Sequence, residues 1–477
     1  MTTRSLMWFR RDLRLEDNPA WAAATASDEV VALVVLEPAL LASAGAFRRR
    51  AFLAGLAGLE RSLVAAGGGL RVEVGDPAAA VPAVAREFGA HQVVVNADVT
   101  RWSVARDRGV EGALAVPLRS HWGTLVQPPG EVLTRSGTLS RVFTPFHRRW
   151  QEIPVADPAE PGPALVADPA GGATLSDALD LLGETPAPAA VDEEQAGDRL
   201  DRWLAQVDDY PTTRDRPDVP GTSALSADLR FGLLSPRHVA RTVGEHTPGR
   251  AAFVRQLAWR DWYAHLTLEH PDIDRAALRS DYDRIVWRTG ADADADFAAW
   301  AEGRTGYPIV DAGMRQLAAT GWMHNRVRMI TGSFLVKDLL IDWRRGERWF
   351  RRLLVDGDIP QNAGNWQWVA GTGPDAAPYF RIFNPVAQGR RHDPDGDYVR
   401  RWVPELAGLA AKAVHAPWEL GPLELAAAGV VLGDTYPAPL VDHAEAREAT
   451  LATYRSALDH LNDPDAEGRV AATGPGG

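Results

Sequence analysis

The N-terminal quarter of the chain alternates runs of β-branched apolar residues with Ala/Leu/Arg segments, and this alternation constrains the fold most. The runs are SLMWFR, EVVALVVLEP, LRVEVGD, HQVVVNAD and LAVPLRS, and segments of helical length such as Phe47–Ala66 and Ala78–Phe88 separate them. Strands that alternate with helices form parallel βαβ units. We therefore predict an α/β domain with a Rossmann-like parallel sheet over residues 1–126. No G-x-G-x-x-G follows the first strand, which argues against the usual dinucleotide site.

The remainder of the chain changes character twice. Residues 127–198 are rich in Pro, Gly and Ala, as in PVADPAEPGPALVADPAGGA, which is typical of an interdomain connection. Residues 199–464 show helical patterns such as AAFVRQLAWRDWYAHLTLEH and few β-branched runs. The predicted architecture is thus an α/β domain, a long linker and an all-helical domain, followed by a disordered tail at 465–477.

Composition excludes several classes of site. The chain has no cysteine, so disulfides, thiolate metal sites and thiol catalysis are excluded, and we expect no metal. The N-terminal segment MTTRSLMWFRRDLRLEDN lacks the uninterrupted apolar core of a secretory signal. No stretch reaches the roughly 18 consecutive apolar residues of a membrane span. We expect a cytoplasmic monomer that does not enter a membrane.

The net charge of −12 alone argues against a nucleic-acid partner. The segment from Arg315 to Arg352 differs, because it holds nine Lys or Arg residues and three Asp or Glu residues. A basic face on an acidic protein is therefore possible, and a solvated charged helix explains the same count.

Tryptophan is concentrated in the helical part, where 12 of the 17 residues lie after position 200. One group there is spaced i, i+3, i+4, i+7, so its members share a helix face: Gln256, Trp259, Arg260 and Tyr263. In a core, each polar head needs a hydrogen-bonding partner. The group fits the wall of a cavity for a polar aromatic ligand better than it fits a packed core.

A second group is predicted to share another helix face: Trp322, Asn325, Arg328 and Met329. The segment Asp358–Gly371, DIPQNAGNWQWVAG, holds two Trp, two Asn and two Gln among Gly and Pro residues. We interpret it as a loop that completes the pocket. Asp356 and Asp358 are expected to form ion pairs with Arg328 or Arg260, because buried arginine requires a partner.

The segment GTSALS, Gly221–Ser226, places hydroxyls after a glycine and before an apolar run. Such a segment supplies N–H and O–H donors for phosphate oxygens. An ordinary Ser/Thr helix cap explains the same residues.

Three long motifs resemble the photolyase/cryptochrome family, most of all the microbial class I cyclobutane pyrimidine dimer photolyases. They are WFRRDLRLEDNPAW, TGYPIVDAGMRQLAATGWMHNRVRMITGSFLVKDLLIDWRRGERWF and DGDIPQNAGNWQWVAGTGPDAAPYFRIFNP. The resemblance implies an α/β antenna domain and a helical domain that binds FAD. Light-excited reduced FAD passes an electron to a dimer in DNA, the dimer splits, and the electron returns. This chemistry needs neither a nucleophile nor a general base.

The resemblance also implies roles for individual residues. Asn362 matches the residue that faces flavin N5, where its carbonyl accepts from N5–H and favours the reduced state. The other positions that match the FAD site are Tyr210, Thr222, Ser223, Ala224, Leu225, Ser226, Arg260, Asn325, Arg328, Asp356 and Asp358. Trp366, Trp343 and Trp287 match the chain of indoles that carries electrons between flavin and surface.

Other matched positions face the DNA. Trp259 and Trp368 match the aromatic walls around the flipped-out dimer, which costs less to extrude than a normal base. Met329 matches a dimer contact. Three arginines match residues that line the DNA groove, where guanidinium groups bind phosphates: Arg214, Arg326 and Arg381.

The chain departs from the family pattern at three places. Gln256 stands where this class usually has Glu, an acid that hydrogen-bonds the dimer, so we expect repair with reduced efficiency. Gln there also resembles the (6-4) photolyases, but HNRVRM lacks the paired histidines of that class. Ala224 replaces a larger side chain in the phosphate loop. Trp102-Ser103 replaces the Asn-Glu pair of folate-binding relatives, which favours an 8-hydroxy-5-deazaflavin antenna, or none, over folate.

Three functions fit this sequence. The first is light-driven repair of cyclobutane dimers in DNA. The second is a cryptochrome-like photoreceptor that signals through partners, and the third is a flavoprotein with dark chemistry. Trp259, Trp368 and the groove arginines favour repair.

Overall fold

The computed structural model describes residues 2–167, 173–184, 189–375 and 378–458. Its sheet contains the five predicted strands, and a two-residue strand pairs beside β2. The strands are β1 (Arg4–Phe9), β2 (Glu29–Leu36), β3 (Leu70–Val74), β4 (Gln92–Asn96), β5 (Leu118–His121) and β6 (Leu165–Val166). All recorded strand pairings are parallel, and the order is β3-β2-β1-β4-β5. The predicted α/β class is confirmed.

Helices cover both faces of this sheet, which explains why the inner strands β1, β2 and β4 are almost wholly apolar and buried. Met7 and Phe9 of β1 belong to one core cluster, whereas Leu6 and Trp8 belong to another. The helices of this region are α1 (Pro19–Ala24), α2 (Pro38–Ser43), α3 (Ala46–Ala65), α4 (Pro77–Phe88) and α5 (Arg101–Ala113).

The rest of the described chain is helical, as predicted. Its helices are α6 (Phe143–Glu152), α7 (Leu175–Leu181), α8 (Glu193–Leu204), α9 (Tyr210–Thr213), α10 (Ser226–Phe231), α11 (Pro236–Val243), α12 (Pro248–Glu269), α13 (Ala291–Ala301), α14 (Pro308–Thr320), α15 (Asn325–Ser333), α16 (Trp343–Leu353), α17 (Ile359–Ala370), α18 (Pro385–His392), α19 (Asp397–Trp402), α20 (Pro422–Ala427) and α21 (His443–Leu458). Short 3₁₀ turns lie at Val207–Asp209, Ser280–Arg284, Pro404–Leu406 and Pro417–Glu419, and a π-helical turn lies at Phe334–Asp338. None of the helices in the described residues is long and apolar enough to cross a membrane.

The segment 127–198, predicted as a linker, contains α6, β6, α7 and the start of α8. α6 is docked against α12 by the buried carboxylate of Asp261. This carboxylate accepts from Val126 N at 3.1 Å, Gln127 N at 2.8 Å and Trp150 Nε1 at 2.8 Å. Burial raises the pKa of Asp261 to about 6. The described residues around α6 therefore pack against α12, despite the Pro- and Gly-rich composition of the segment.

His265 makes this interface sensitive to acid. Burial lowers its pKa to about 4, and its Nε2–H donates to the Gln127 carbonyl at 2.9 Å. The unfolded chain takes up this proton near pH 6.5. The contribution of neutral His265 to folding stability is therefore fully present above pH 6.5, and up to ~3 kcal/mol of it is lost as the pH falls to 4. We expect His265→Gln, which keeps an N–H donor, to remove this loss in unfolding curves measured from pH 4 to 7. The exposed His238→Gln is the control, and an unchanged pH dependence in the His265 variant would contradict the prediction.

The described residues form two compact units. Unit 1 draws on Met1–Arg214, Gly221–Pro271 and Arg351–Gln361, and unit 2 draws on Asp215–Pro220, Asp272–Phe350 and Asn362–Gly477. Unit 1 thus combines the sheet with α6–α12 and a short later segment. The predicted domain limits 1–126, 127–198 and 199–464 remain a prediction about independent folding, and the tail at 465–477 lies outside the described residues.

Candidate functional site

One predicted polar-aromatic face lies on α12 in unit 1. The N-cap Thr247 and Pro248 in the first turn begin this helix. The predicted group lies on it, with the first three side chains half-buried and the last buried: Gln256, Trp259, Arg260 and Tyr263. The helix therefore presents these side chains at the spacing that the sequence predicted.

Gln256 and Trp259 are both restrained by neighbours. Gln256 Nε2 donates to the Ala252 carbonyl at 3.0 Å, which leaves Oε1 and the second N–H for a ligand. The Trp259 indole stacks on the Phe143 ring, with centroids 3.6 Å apart and planes at 11°. Only one face of the indole is therefore open to a ligand.

The Arg260 guanidinium binds backbone carbonyls. Its Nη2 donates to Leu229 O at 3.2 Å, and its Nη1 donates to Thr124 O. Burial lowers the Arg260 pKa, and the charge of Asp358 raises it. The predicted direct ion pair with Asp358 is absent from the salt bridges recorded in the described chain, where the two carbonyls are the acceptors of the guanidinium.

The predicted phosphate loop has an unusual backbone. Ala224 adopts φ 54°, in the left-handed region that a residue with a Cβ rarely occupies. Ser223 Oγ accepts from Leu225 N at 3.3 Å, and α10 begins at Ser226. A Cβ on Gly221 would lie 2.5 Å from Thr213 Cβ, so the tight approach of the two segments requires glycine. A left-handed residue between right-handed ones orients successive N–H groups toward a common anion.

Tyr210 and Arg214 lie just before this loop in sequence. The Tyr210 ring packs edge-on against Trp203 and Phe253, with centroids 5.6 and 5.7 Å away. The Arg214 guanidinium lies 5.8 Å from the Tyr210 centroid. The predicted phosphate contact and the predicted DNA contact are thus direct neighbours.

Asp358 forms a buried ion-pair cluster whose partners differ from those predicted. Its Oδ1 lies 2.7 Å from Arg11 Nη1 and 3.6 Å from Arg230 Nε, and Arg11 Nε also pairs with Asp98 at 2.9 Å. Burial lowers the pKa of Arg230 to about 10. In unit 1, the recorded partners of Asp358 are thus Arg11 and Arg230, and Arg260, one of the two expected partners, is not among them. Asp356 is half-buried nearby in the chain.

In unit 2, the segment predicted as a loop is helical. α17 runs from Ile359 to Ala370, and Pro360 fits its first turn because proline needs no donor partner there. Asn362 Nδ2 donates to both the carbonyl and Oε1 of Glu347, each at 2.9 Å. These bonds fix the amide orientation and leave Asn362 Oδ1 to accept from a ligand.

The three indoles predicted to carry electrons lie in unit 2. Trp366 is buried, and its ring lies 5.0 Å from Phe350 and 6.3 Å from Trp300. Trp343 is buried beneath the Arg344 guanidinium, 4.9 Å from its ring. Trp287 is half-buried and meets Tyr454 edge-on at 6.2 Å. Trp368, the second predicted dimer wall, is half-buried.

The predicted second face is only partly correct. α15 begins at Asn325, so Trp322 lies in the preceding turn and not on the helix. Gly321 ends α14 with a left-handed conformation, which explains the break. Arg328 Nε donates to Met323 O at 2.8 Å, and Asn325 Nδ2 lies 3.8 Å from the sulfur of Met329.

The basic excess between Arg315 and Arg352 does not form a single free basic face. Lys337 is 1% exposed, and its Nζ donates to the Ala370 carbonyl at 2.9 Å. Other cations of the segment are paired with carboxylates, among them Arg315 with Glu405, Arg326 with Asp215, Arg344 with Asp283 and Arg345 with Asp294. Arg381, the third predicted groove arginine, is exposed.

Trp102, singled out for the antenna, is 41% exposed on α5. The Arg106 guanidinium lies 4.8 Å from the Trp102 ring and 5.0 Å from the buried Trp8 ring. Arg10 pairs with Asp107 at 2.6 Å nearby. These side chains follow β1 and β4, where the strand order reverses and open α/β sheets bind ligands.

Several residues that shape the site escaped the sequence analysis. Glu347 orients Asn362, Phe143 stacks on Trp259, and Arg11 neutralises Asp358. Arg11 and Glu347 lie within recognised motifs, WFRRDLRLEDNPAW and the long motif that ends in RRGERWF, but neither motif assigned them a role. Phe143 lies outside the motifs and contacts Trp259 across more than 100 positions, which local patterns do not reveal.

The residues present fit FAD. The left-handed Ala224 loop, with hydroxyls on either side, suits diphosphate oxygens. The fixed Asn362 amide presents a carbonyl oxygen suited to a ring N–H.

Comparisons with known proteins agree with this chemistry. Residues 5–164 match the family model described as DNA photolyase, and residues 253–456 match the FAD binding domain of DNA photolyase. Among similar proteins, the deoxyribodipyrimidine photo-lyase of Agrobacterium fabrum is 40% identical, over 95% of this chain and 98% of that protein. The enzyme of the same name from Streptomyces griseus is 43% identical, over 93% and 97%.

Solved structures extend the likeness to the fold. A bacterial class III photolyase from Agrobacterium tumefaciens has a TM-score of 0.88 and 40% identity, over 96% of this chain and 98% of that one. A cryptochrome from Synechocystis has a TM-score of 0.84 and 28% identity, over 94% and 99%. The expected family is confirmed, and assignment to class I remains a prediction. With both family models matched and relatives of about 40% identity along nearly the whole length, the chain belongs to the photolyase/cryptochrome family.

Proposed function

We propose that this protein is a deoxyribodipyrimidine photo-lyase that splits cyclobutane pyrimidine dimers in DNA under blue light. The observation that carries the proposal is the fixed amide of Asn362, whose N–H groups are taken by Glu347 and whose carbonyl is left for a ligand. Relatives named for this activity, at about 40% identity, support it.

FAD, when bound, supplies the light-driven one-electron chemistry. The phosphate-binding set is Tyr210, Thr222, Ser223, Ala224, Leu225 and Ser226, and the set around the ring and adenosine is Arg260, Asn325, Arg328, Asp356, Asp358 and Asn362. Asn362 Oδ1 accepts a ring N–H, and Glu347 holds it in that orientation. Because the amide has no acidic proton, Asn362 favours the N–H form without transferring a proton itself.

The DNA side of the proposal rests on aromatic and cationic side chains. Trp259 and Trp368 are half-buried indoles that offer flat surfaces to an extruded dimer. Met329 and Gln256 add an apolar and a polar contact. Arg214, Arg326 and Arg381 bind phosphates, which position the strand without reading its sequence.

Gln256 is expected to limit the yield of repair. Its carboxamide offers only a neutral hydrogen bond to a dimer that gains negative charge, and one N–H is already bound to Ala252. The carboxyl group of a glutamate, in its protonated form, is a stronger donor than the carboxamide and gains about 1 kcal/mol in such a bond, or about fivefold in rate. We expect Gln256→Glu to increase dimers repaired per absorbed photon, and Gln256→Leu to decrease them. Equal yields in all three proteins would contradict this role.

A cryptochrome-like photoreceptor is the second candidate, because the Synechocystis cryptochrome shares the fold at 28% identity. One experiment separates the candidates. The FAD-loaded, reduced protein is illuminated with blue light on a defined cyclobutane dimer and, separately, on a (6-4) photoproduct, with dark controls. We expect light-dependent reversal of the dimer only. Reversal of the (6-4) lesion alone, or of neither lesion, would refute the proposal.

The antenna, the compartment and the oligomeric state are proposed as follows. An 8-hydroxy-5-deazaflavin antenna, or none, is proposed in place of folate, because Trp102-Ser103 does not match the folate pattern. A similar archaeal photolyase from Sulfolobus tokodaii is described with two FAD molecules, so a second flavin is the alternative to test by chromophore extraction. We also propose that the protein acts as a cytoplasmic monomer.

A further inference from the structure

We propose that Phe143 is a positioning residue that fixes the plane of the Trp259 indole, so that α6 takes part in lesion binding. The inference rests on the proposed function, because it requires Trp259 to contact the dimer. Phe143 itself is 1% exposed and touches no ligand, whereas Trp259 is half-buried. Phe143 therefore acts through Trp259.

The two rings are held in an arrangement that they do not prefer by themselves. Their centroids lie 3.6 Å apart with planes at 11°, close to a face-to-face sandwich, whereas free aromatic pairs favour offset or edge-on geometry. The surrounding structure must impose this stack. One whole face of the Trp259 indole is covered as a result, and rotation of the indole would break the contact.

Trp262 supplies the restraint. Its ring meets Phe143 at 5.8 Å and 69°, and it meets Trp259 at 5.3 Å and 80°, so that it lies against both rings at a steep angle. Trp262 Nε1 donates to the Ser140 carbonyl at 2.9 Å, which ties this indole to the chain just before α6. The three rings thus contact one another between α6 and α12, and Tyr263 also contacts both indoles.

Arg255 adds a cation to the same cluster. It precedes Trp259 by one helical turn, is exposed, and places its guanidinium 5.3 Å from the Phe143 centroid. A guanidinium within about 6 Å of a ring is attracted to its face. Phe143 is thus restrained from three directions, which suits a rigid support for the lesion-binding indole.

Rigidity of this indole is expected to affect binding more than catalysis. Stacking against the extruded dimer requires one orientation of Trp259, and an indole that is already fixed loses no further freedom on binding. Without Phe143 the indole would have to be ordered by the lesion. Undamaged DNA extrudes no base and so does not stack on Trp259. Its binding should therefore not depend on whether the indole is ordered.

The test compares Phe143→Leu with the wild-type holoenzyme. Leucine retains bulk but has no flat ring. We expect the Kd for dimer-containing DNA to rise about fivefold, the effect typical of ordering one side chain on binding. The Kd for undamaged DNA and the repair rate at saturating DNA should change by less than about twofold. An unchanged Kd for dimer-containing DNA would overturn the inference.

Phe146→Leu is the matched control. Phe146 lies one turn further along α6, is equally buried, and meets His265 edge-on at 5.3 Å. Its replacement loosens the same core without removing the ring stacked on Trp259, so we expect the lesion Kd to stay close to wild type. A fivefold rise in this variant as well would show general loosening of α6 and overturn the inference.

Two further variants complete the design. Phe143→Tyr keeps the flat ring and is expected to restore discrimination, whereas a Kd as high as that of the Leu variant would overturn the inference. Phe143→Met is measured in parallel, as a second non-aromatic replacement should the Leu variant fail to fold. Wild-type protein that does not discriminate dimer-containing from undamaged DNA would refute the proposed function itself. Normal discrimination in the Leu variant would refute the role of Phe143 alone.

Discussion

Trp366→Phe is expected to slow photoreduction of bound FAD by at least an order of magnitude while repair by chemically reduced protein continues. The indole is buried in unit 2 and begins the predicted electron route through Trp343 to Trp287. Phenylalanine keeps an aromatic ring, although a smaller one, but has no accessible radical cation. Because the route only recharges the cofactor, the splitting of a dimer does not need it.

The measurement has two parts. Flavin absorbance is followed under blue light with an external reductant, and repair is then assayed after reduction with dithionite. Trp300→Phe is the control, because Trp300 lies 6.3 Å from Trp366 but outside the predicted route. If photoreduction is slow in Trp300→Phe and normal in Trp343→Phe, the electron route passes through Trp300 and the predicted route is wrong. Loss of repair in pre-reduced Trp366→Phe would contradict the assigned role.

Asp358→Asn is expected to destabilise the apoprotein by about 3–5 kcal/mol, because removal of one partner leaves buried charges uncompensated. Its carboxylate lies 2.7 Å from Arg11 and 3.6 Å from Arg230, and side-chain exposures are 8%, 17% and 21%. Asparagine keeps the shape and one acceptor but no charge. Burial already lowers the pKa of Arg230 to about 10. Loss of the Asp358 charge should therefore destabilise the charged form of Arg230 further.

Denaturant unfolding of the apoprotein measures this effect separately from FAD binding. Glu302→Gln is the control, since Glu302 and Arg304 form a pair that is more than half exposed. Exposed pairs contribute about 0–1 kcal/mol, so this variant should resemble wild type. Equal stability of the Asp358 variant and the Glu302 variant would show that Asp358 is not needed to neutralise Arg11 and Arg230.

The sheet and the α12 face were predictable because their signals are local. Apolar runs, rich in valine at β2 and β4, mark the sheet, and the spacing from Gln256 to Tyr263 is that of one helix face. Neither prediction needed knowledge of distant residues. The family resemblance supplied the roles of side chains that spacing alone could not assign.

The structure departs from local composition where tertiary contacts override it. Gly364, Pro360 and two Asn residues suggested a loop where α17 forms, because buried Trp366 and Gln367 hold the helix in unit 2. The Pro-rich segment around α6 is held by the Asp261 carboxylate, more than 100 residues away. Asp358 pairs with Arg11, which lies 347 positions away in the sequence, and no periodic pattern extends over such a separation.

The discontinuity of unit 1 has a consequence for synthesis on the ribosome. Arg11 and Arg230 emerge long before Asp358, which lies in the last stretch that unit 1 recruits, Arg351–Gln361. Until three quarters of the polypeptide has been made, these guanidinium groups therefore lack the Asp358 carboxylate and remain hydrated. Arg11 can pair with Asp98 alone during this time. Fragments that stop before that stretch lack the counter-ion, so the N-terminal half is a poor candidate for expression by itself.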